Sequence, residues 1–411
     1  LLTGDPEDSI WFAVLIATDV FLLATVLELA LAWAGKWLVA GRLKPGSYPL
    51  WGWVYFRWWF ADRLLEAAPI YMLSGSSLYA GWLRLLGARI GKDVVLGSII
   101  VRVPDLLRIG DGASVGNAVS FDNAHVAGGM LHIGRIDVGR DACIGSYVVM
   151  EGDVTLGERA HLQGQTSLRG GQQVPAGRIW AGSPAQDIGA DDAGARPPRP
   201  VASRGRLAFE ALCFIAGSLL IAVAFFLPVF PTFMLIDWFD VEELAVQPLV
   251  DAGTISAAEA FLLRVAKFFL LALPASAVLI VCTALVSAFI RWAFLPRMQA
   301  GSWPVHSNRY LAKWLVNQIQ EASLAVLHGI YATVYSSAWY RLLGAKVGRD
   351  AELSTALGVV PDMLTLGDET FIADAVMLGD EQIDGGWMTV RPTVVSRRSF
   401  VGNIAYVPDG T

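Results

Sequence analysis

The sequence has few charged residues and almost no cysteine. Only 17% of its 411 residues are charged, 55% are hydrophobic, and the mean hydropathy is +0.50. Soluble globular chains carry roughly 25% charged residues, so this composition favours a protein with membrane spans. Three isolated cysteines, Cys143, Cys213 and Cys282, predict neither a disulfide framework nor a metal cluster, and we expect no bound metal.

The sequence also lacks the short motifs of nucleotide-binding and hydrolytic sites. It contains no G-x-x-x-x-G-K-[ST], no G-x-G-x-x-G opening a helix and no H-E-x-x-H. The net charge is −6 and the basic residues are scattered, so nucleic acid is not expected as a ligand. Because the chain begins with Leu1, carries no signal-peptide pattern and stops within "VPDGT", we interpret it as a fragment.

Three long apolar segments are present instead, within residues 1–35, 208–233 and 265–292. Each is long enough to cross a bilayer core, which takes about 20 helical residues. Basic residues flank these segments on one side, whereas acidic residues cluster between the second and third, in residues 234–264. The positive-inside rule therefore predicts a multi-pass protein of the cell (inner or plasma) membrane, with that acidic loop outside and the remaining domains on the cytoplasmic face.

A six-residue repeat is the clearest pattern outside the apolar segments. In "VGRDACIGSYVVMEGDVTLGERAHL" (138–162) an aliphatic residue returns at every sixth position. A helix repeats at 3.6 and a half-buried strand at two. Six divides eighteen, so three short strands per turn of a parallel β-helix would return each aliphatic residue to the interior. A run of antiparallel strands with glycine turns is the alternative.

The repeat resembles the left-handed hexapeptide-repeat β-helix of the acyltransferase superfamily. The segment "RIWAGSPAQDIG" (178–189) strengthens the resemblance, because it is similar to the "W-A-G-x-P-A" segment that ends the coil in many such enzymes. The resemblance makes Trp180, Gly182, Ser183 and Pro184 candidate contacts for a pantetheine-bearing cofactor.

The chain contains an internal duplication. "LRLLGARIGKD" (83–93) recurs as "YRLLGAKVGRD" (340–350), and "GSYPLWGWVY" (46–55) recurs as "GSWPVHSNRY" (301–310). We therefore predict a membrane α plus all-β fold, in which two left-handed parallel β-helix domains alternate with transmembrane helices. The predicted segments are a transmembrane helix (1–35), an interfacial aromatic helical linker (36–87), the first β-helix (88–190), a Pro/Ala/Arg linker (191–207), a transmembrane helix (208–233), the acidic loop (234–264), a transmembrane helix (265–292), an interfacial helical linker (293–343) and a truncated second β-helix (344–411). Each aromatic linker is interpreted either as a helix at the membrane interface or as a cap on the coil.

Candidate catalytic residues lie where the first repeat breaks its pattern, in "FDNAHVAGGMLHIG" (121–134). A histidine is the usual general base for attack on a thioester, and a carboxylate or amide orients it. The second copy has no histidine in the aligned segment, so if the histidines are catalytic only the first coil is active. The alternative is that residues common to both copies do the work: Pro104-Asp105 with Pro361-Asp362, Asp111 with Asp368, and the glycine pairs. Exposed turn residues are the alternative interpretation of each histidine. The candidates are His125 and His132 as bases, Asp122 and Asn123 as orienting groups, Gly128 and Gly129 for close approach to the cofactor, and His161 two turns further on.

The order of spans and coils is similar to the C-terminal membrane region of Pls/PosA-type nonribosomal peptide synthetases. This resemblance implies adenylation and carrier domains upstream, a phosphopantetheine-bound aminoacyl thioester as donor, a free amino acid or growing homopolymer as acceptor, and membrane lipid around the helices. It implies amide-bond formation as the reaction. Two rivals stay open: a free-standing membrane acyltransferase that uses acyl-CoA, and a non-catalytic scaffold.

Overall fold

A computed structural model describes residues 6–191, 197–239, 246, 249, 253 and 255–411. The Pro/Ala/Arg linker and the acidic loop therefore lie partly outside the described residues. The chain forms two compact units. The helical unit comprises 1–22, 217–296 and 315–331, and the coil unit comprises 23–216, 297–314 and 332–411.

Eight α-helices are found among the described residues. Three helical stretches, Ile16–Ala40, Arg204–Trp238 and Ala257–Phe294, are long and apolar enough to cross a membrane. The helices are α1 Pro6–Gly35, α2 Trp53–Ala67, α3 Ser77–Leu85, α4 Arg204–Phe226, α5 Val229–Trp238, α6 Ala257–Phe294, α7 Asn308–Leu327 and α8 Val334–Leu343.

The helical unit packs apolar and aromatic side chains. The ring of Phe21 stacks on that of Phe225, with centroids 6.1 Å apart, and meets Phe226 edge-on at 5.4 Å. Helix α6 begins with a capping box, in which Ser256 and Glu259 each bond the other's backbone N–H, so the chain enters this long apolar helix at a defined residue.

The coil unit contains thirty short strands among the described residues. The first eighteen are β1 Gly46–Pro49, β2 Arg89–Ile90, β3 Val95–Leu96, β4 Ile99–Val101, β5 Leu107–Ile109, β6 Ser114–Val115, β7 Val119–Asp122, β8 Ala124–Ala127, β9 Met130–Ile133, β10 Ile136–Val138, β11 Cys143–Ile144, β12 Val149–Glu151, β13 Val154–Leu156, β14 His161–Leu162, β15 Ser167–Leu168, β16 Gln173–Val174, β17 Arg178–Ala181 and β18 Gln186–Ala190. The others are β19 Gly301–Pro304, β20 Lys346–Val347, β21 Glu352–Leu353, β22 Ala356–Leu357, β23 Leu364–Leu366, β24 Phe371–Ile372, β25 Val376–Leu378, β26 Gln382–Asp384, β27 Trp387–Val390, β28 Thr393–Val395, β29 Phe400–Val401 and β30 Tyr406–Val407.

Strands 89–181 form a three-sided parallel coil, called the first coil below. Its sides are the sheets β2-β5-β10-β13-β16, β3-β6-β11-β14-β17 and β4-β7-β12-β15, and the chain adds one strand to each side on every turn. Strands 346–407 form the second coil in the same way, with sides β20-β23-β28, β21-β24-β29 and β22-β25-β30.

The six-residue aliphatic set fills the interior of the first coil. Val138, Ile144, Met150, Leu156 and Leu162 are each at most 5% exposed, as the period predicts. A Cβ on Gly145, which follows Ile144, would lie 2.6 Å from the backbone N of Gly164 on the next turn. Glycine therefore allows successive turns of the coil to stack closely at that corner.

Helices α2 and α3 cover the first coil. Trp58 of α2 is buried in an apolar cluster with Val103 and Leu131, while Tyr79 and Trp82 of α3 join the core of the coil. The Tyr79 hydroxyl donates to the carbonyl of Ile99, which satisfies its polar end in the interior.

The two coils lie side by side within the coil unit. The Tyr147 hydroxyl donates to the carbonyl of Ala375, and Gln165 Nε2 on the next turn donates to that of Ile404, at 2.5 and 2.7 Å. The ring of Tyr406 packs on the backbone of Gly164, where a Cβ would lie 2.3 Å from the ring. We call this contact the junction. Because successive turns of one coil meet successive turns of the other, both coils run in the same direction.

Candidate active site

The break in the repeat is an antiparallel hairpin that projects from the first coil. Strands β8 and β9 pair with each other, and β1 pairs with β9, so three short strands form a small sheet. The turn is made by Gly128 and Gly129, whose φ values of +57° and +76° are costly for residues with a side chain. A Cβ at either glycine would meet no atom within 4 Å, so the turn is open on the outside.

The hairpin brings the two predicted histidines together. His125 and His132 are cross-strand partners, and their rings stack with centroids 5.2 Å apart. Nδ1 of His132 lies 2.8 Å from the Ser47 hydroxyl on β1. This bond fixes the His132 ring, and the His125 ring rests against it.

Asp122 lies at the end of β7, beside the histidine pair. Arg102 Nε is 3.7 Å from its carboxylate, and Arg102 also bonds the buried carboxylate of Asp62 on α2 at 3.2 Å. Partial burial raises the pKa of Asp122, while the neighbouring Arg102 and His125 side chains oppose this effect. The carboxylate and the His125 imidazole are therefore close enough to interact electrostatically.

Asn123 faces inward rather than toward His125. It is completely buried, its Oδ1 accepts the Val103 N–H at 2.8 Å, and its Nδ2 donates to the Val103 carbonyl at 2.7 Å. Both ends of the amide thus hold the backbone next to β5. Its role as an orienting group stays a prediction, and Asp122 is better placed for that role.

The other candidates lie elsewhere on the first coil. His161 is on β14, paired with Cys143 of β11 and Ile179 of β17, on a different side of the coil from β7 and β12. Trp180 packs partly buried against the core at the end of the coil. Gly182, Ser183 and Pro184 form the turn between β17 and β18, a pair tied together by a two-bond contact from Arg178 to Asp187.

The second coil repeats the hairpin without imidazoles. Gln382 and Thr389 are cross-strand partners on β26 and β27, in place of His125 and His132. The Thr389 hydroxyl lies 2.9 Å from that of Ser302 on β19, so the geometry is kept while the basic groups are absent from these two positions.

Two polar features of the coil unit are missed by the sequence reasoning. One is a groove of about 540 Å³ on the first side of the first coil, where Arg89, Arg108 and Asp137 follow in register on adjacent strands. The other is a buried cluster at the junction, centred on Asp380. The six-residue period shows only that the residues of the groove and of the cluster do not belong to the aliphatic residues that fill the coil. A comparison of the two copies would have singled out Asp380, since its first-copy counterpart is Asn123. Within the described residues no group of three His, Cys, Asp or Glu side chains is placed to hold a metal ion.

Comparison with known proteins identifies a relative along the whole chain. The sequence is 45% identical over 410 residues to the delta-poly-L-ornithine synthetase of Acinetobacter baumannii (strain AB307-0294). The predicted resemblance to Pls/PosA-type nonribosomal peptide synthetases is confirmed. The match covers 100% of this chain and 30% of that synthetase, so the chain spans less than a third of its relative. No family model matches the sequence.

Two solved acetyltransferase structures are similar to part of this chain. One is the hexapeptide-repeat acetyltransferase of Vibrio cholerae, with 18% identity and a TM-score of 0.26, covering 41% of this chain and 92% of that one. Another is a maltose O-acetyltransferase of Clostridium difficile 630, with 15% identity and a TM-score of 0.23, covering 41% and 89%.

Proposed function

We propose that this chain is part of a membrane-bound nonribosomal peptide synthetase that forms amide bonds between a carrier-tethered aminoacyl thioester and a free amino acid or growing homopolymer. The observation that carries the proposal is the 45% identity of the whole chain to a protein named as a poly-ornithine synthetase. The adenylation and carrier domains would be supplied outside these 411 residues.

We propose further that both coils are left-handed parallel β-helices of the hexapeptide-repeat type, on the cytoplasmic face of the cell membrane. The three parallel sides, visited in turn, support this assignment, and the three apolar helices support a multi-pass topology. Two coils beside one membrane would raise the effective concentration of a tethered donor near its acceptors.

The histidine hairpin supplies the chemistry in this proposal. The acceptor amine attacks the thioester carbonyl, a C–N bond forms, and the C–S bond breaks with the thiolate of phosphopantetheine as leaving group. His125 takes the proton that the amine loses, and Asp122 stabilises the imidazolium that results. The open turn at Gly128 and Gly129 would face the pantetheine arm, and the segment from Trp180 to Pro184 at the end of the coil stays a separate candidate contact for it.

A single-turnover transfer assay with the complete synthetase in membranes tests the proposed function. The donors are an aminoacyl-pantetheine thioester and, separately, acyl-CoA, each with free amino acid as acceptor. Amide product from the aminoacyl-pantetheine thioester is the expected result. Transfer from acyl-CoA alone would instead identify a free-standing acyltransferase, and no product from either donor would identify a scaffold.

The aromatic face of α2 is proposed to lie in the membrane interface. Trp53 and Trp59 of this helix are 69% and 43% exposed and Trp51, just before it, is 87% exposed, although the opposite face of the helix is buried on the coil. Arg57 on the same helix donates to the carbonyls of Val39 and Ala40, at the end of the first apolar helical stretch. The face therefore begins where that stretch ends, and tryptophan is favoured at that depth. The linker would be both an interface helix and a cap.

An environment-sensitive fluorophore tests this placement. We expect a label on the cysteine of a Trp53→Cys variant without other cysteines to show blue-shifted emission. Brominated lipids in proteoliposomes should quench this emission. The control is the same label at Ile188, an exposed residue of β18 on the coil, which we expect to remain unquenched. Equal quenching at the two sites, or none at Trp53, would place α2 away from the bilayer.

A further inference from the structure

The two copies differ in charge at one buried place. In the first copy the three aligned residues are uncharged, because Trp58 and Ala124 belong to the same apolar cluster as Val103 and the Asn123 amide bonds the Val103 backbone. In the second copy it carries three ionisable groups. The exchanges from the first copy to the second, read from the aligned segments, are Trp58 to Lys313, Asn123 to Asp380 and Ala124 to Glu381.

The three ionisable groups of the second copy are almost free of solvent. Lys313 is 2% exposed, Asp380 is 3% exposed, and the Glu381 side chain is 10% exposed. Lys313 Nζ donates to Glu381 Oε2 in a buried ion pair. A buried charge is strongly destabilising unless it is paired. Lys313 can neutralise only one of the two carboxylates, so it would not compensate a negative charge on the other.

The first coil presents two donors to Asp380. Asn117 Nδ2 lies 3.0 and 3.2 Å from the two carboxyl oxygens, and the Ser146 hydroxyl lies 2.9 Å from one of them. Both donors are held by their own coil: Asn117 Oδ1 accepts the Ser98 N–H, and the Asn117 N–H donates to the Ser146 oxygen. The first coil thus forms a fixed receptor for one carboxyl group of the second coil.

Asp380 and Glu381 are consecutive buried acids that share one buried cation. Glu381 is paired with Lys313, which favours its ionised form. A neutral carboxylic acid keeps its carbonyl oxygen as an acceptor and avoids the burial of a second negative charge. We propose that Asp380 is held as the neutral acid, accepting from Asn117 and Ser146, and that this proton closes the junction between the two coils.

The surrounding groups do not offset a second negative charge. Burial is the largest cause that raises the pKa of Asp380 well above its usual range; the Glu381 charge adds to it, and Lys313 and Asn117 oppose it. Burial also raises the pKa of Asp409, near which Arg391 lies. The titratable groups around Asp380 are Cys143 and Tyr147 of the first coil, Tyr310 and Lys313 of α7, and Glu381, Tyr406 and Asp409 of the second coil.

The junction should therefore open as the pH rises. With the junction open, the Asp380 carboxyl meets water and its pKa returns to about 4. The closed state then holds its proton more tightly than the open state. The extra stability of the closed state is fully present below about pH 4 and is lost as the pH rises through the raised pKa of Asp380. Over that range the equilibrium constant for opening increases by up to about tenfold per pH unit.

Cys143 is a native probe of the opening. Its thiol is 4% exposed and lies 3.7 Å from the carbonyl of Ile383 across the junction. The experiment measures its alkylation rate between pH 5 and pH 9 in the complete synthetase, with Cys213 and Cys282 replaced by alanine. The comparison variant is Asp380→Asn, which keeps an acceptor for Asn117 and Ser146 and has no carboxyl proton to lose. Asparagine is also the residue that the first copy carries at the aligned position, Asn123. The ratio of the two rates cancels the effect of pH on the thiol itself.

We expect this ratio, parent over Asp380→Asn, to be near one at pH 5 and to rise at least tenfold by pH 9. An Asp380→Ala variant, which lacks the acceptor for the first-coil donors, should be labelled fast at every pH. Infrared difference spectra of the parent and the Asp380→Asn variant at pH 5 should show the carbonyl band of one neutral carboxylic acid. A constant ratio across the pH range, or no such band, overturns the proposal. These readouts concern the junction alone, so they succeed or fail independently of the transfer assay.

Discussion

Replacing His125 by glutamine is expected to lower the single-turnover rate of amide formation by about a hundredfold or more, the usual loss when a general base is removed. Glutamine is a sharper test than alanine, because the second copy carries Gln382 at the same hairpin position, paired with Thr389. The hairpin should therefore fold normally in the variant, and the affinity for the acceptor amino acid should change little.

His132 supplies the matched control for this prediction. Its Nδ1 is bonded to Ser47, so it supports the His125 ring and is not expected to move the proton. His132→Gln should lower the rate less than His125→Gln. If the His125 variant transfers at the parental rate, the base lies elsewhere, and His161 on the neighbouring side of the coil becomes the residue to test next. Loss of activity in both variants together with a lower melting temperature would indicate damage to the hairpin.

The interior of the coils was predictable because it follows from a strict period. A six-residue repeat allows only one assignment of Val138, Ile144 and Met150 to the inside, and all three are buried. The break at residues 121–134 was visible for the same reason, and it marks the hairpin that carries His125 and His132. The apolar helical stretches follow from length and composition alone.

The junction was not predictable from the period. The repeat shows which residues point into the coil, but it does not show which of the outer faces contacts the other coil. Nothing in the local sequence distinguishes Asn117 or Ser146 from other polar turn residues, although both bond the second coil. The partners of Asn123 were not predictable either. Its position next to a histidine suggests an orienting group, and the sequence does not indicate that its amide bonds the N–H and the carbonyl of Val103.

Replacing Lys313 by methionine is expected to destabilise the coil unit by about 3–5 kcal/mol, the range observed when one partner of a buried ion pair is removed. Methionine is close to lysine in shape and leaves the Glu381 carboxylate buried without its cation. Differential scanning calorimetry of the purified protein at neutral pH measures the change. A matched control is Arg398→Met in the same coil: its partner is Glu369, both side chains are exposed, and the loss should stay below about 1 kcal/mol.

The second half of this prediction is a rescue that the first copy suggests. Adding Glu381→Ala to Lys313→Met removes the uncompensated charge and restores the apolar character that Trp58 and Ala124 have in the first copy. Buried ion pairs replaced by apolar residues are often neutral or stabilising, so the double variant should recover most of the lost stability. If the double variant is as unstable as Lys313→Met alone, the loss reflects packing of the lysine stem. Recovery would show that the second copy differs from the first at this buried site in the charge of its side chains and not in their shape.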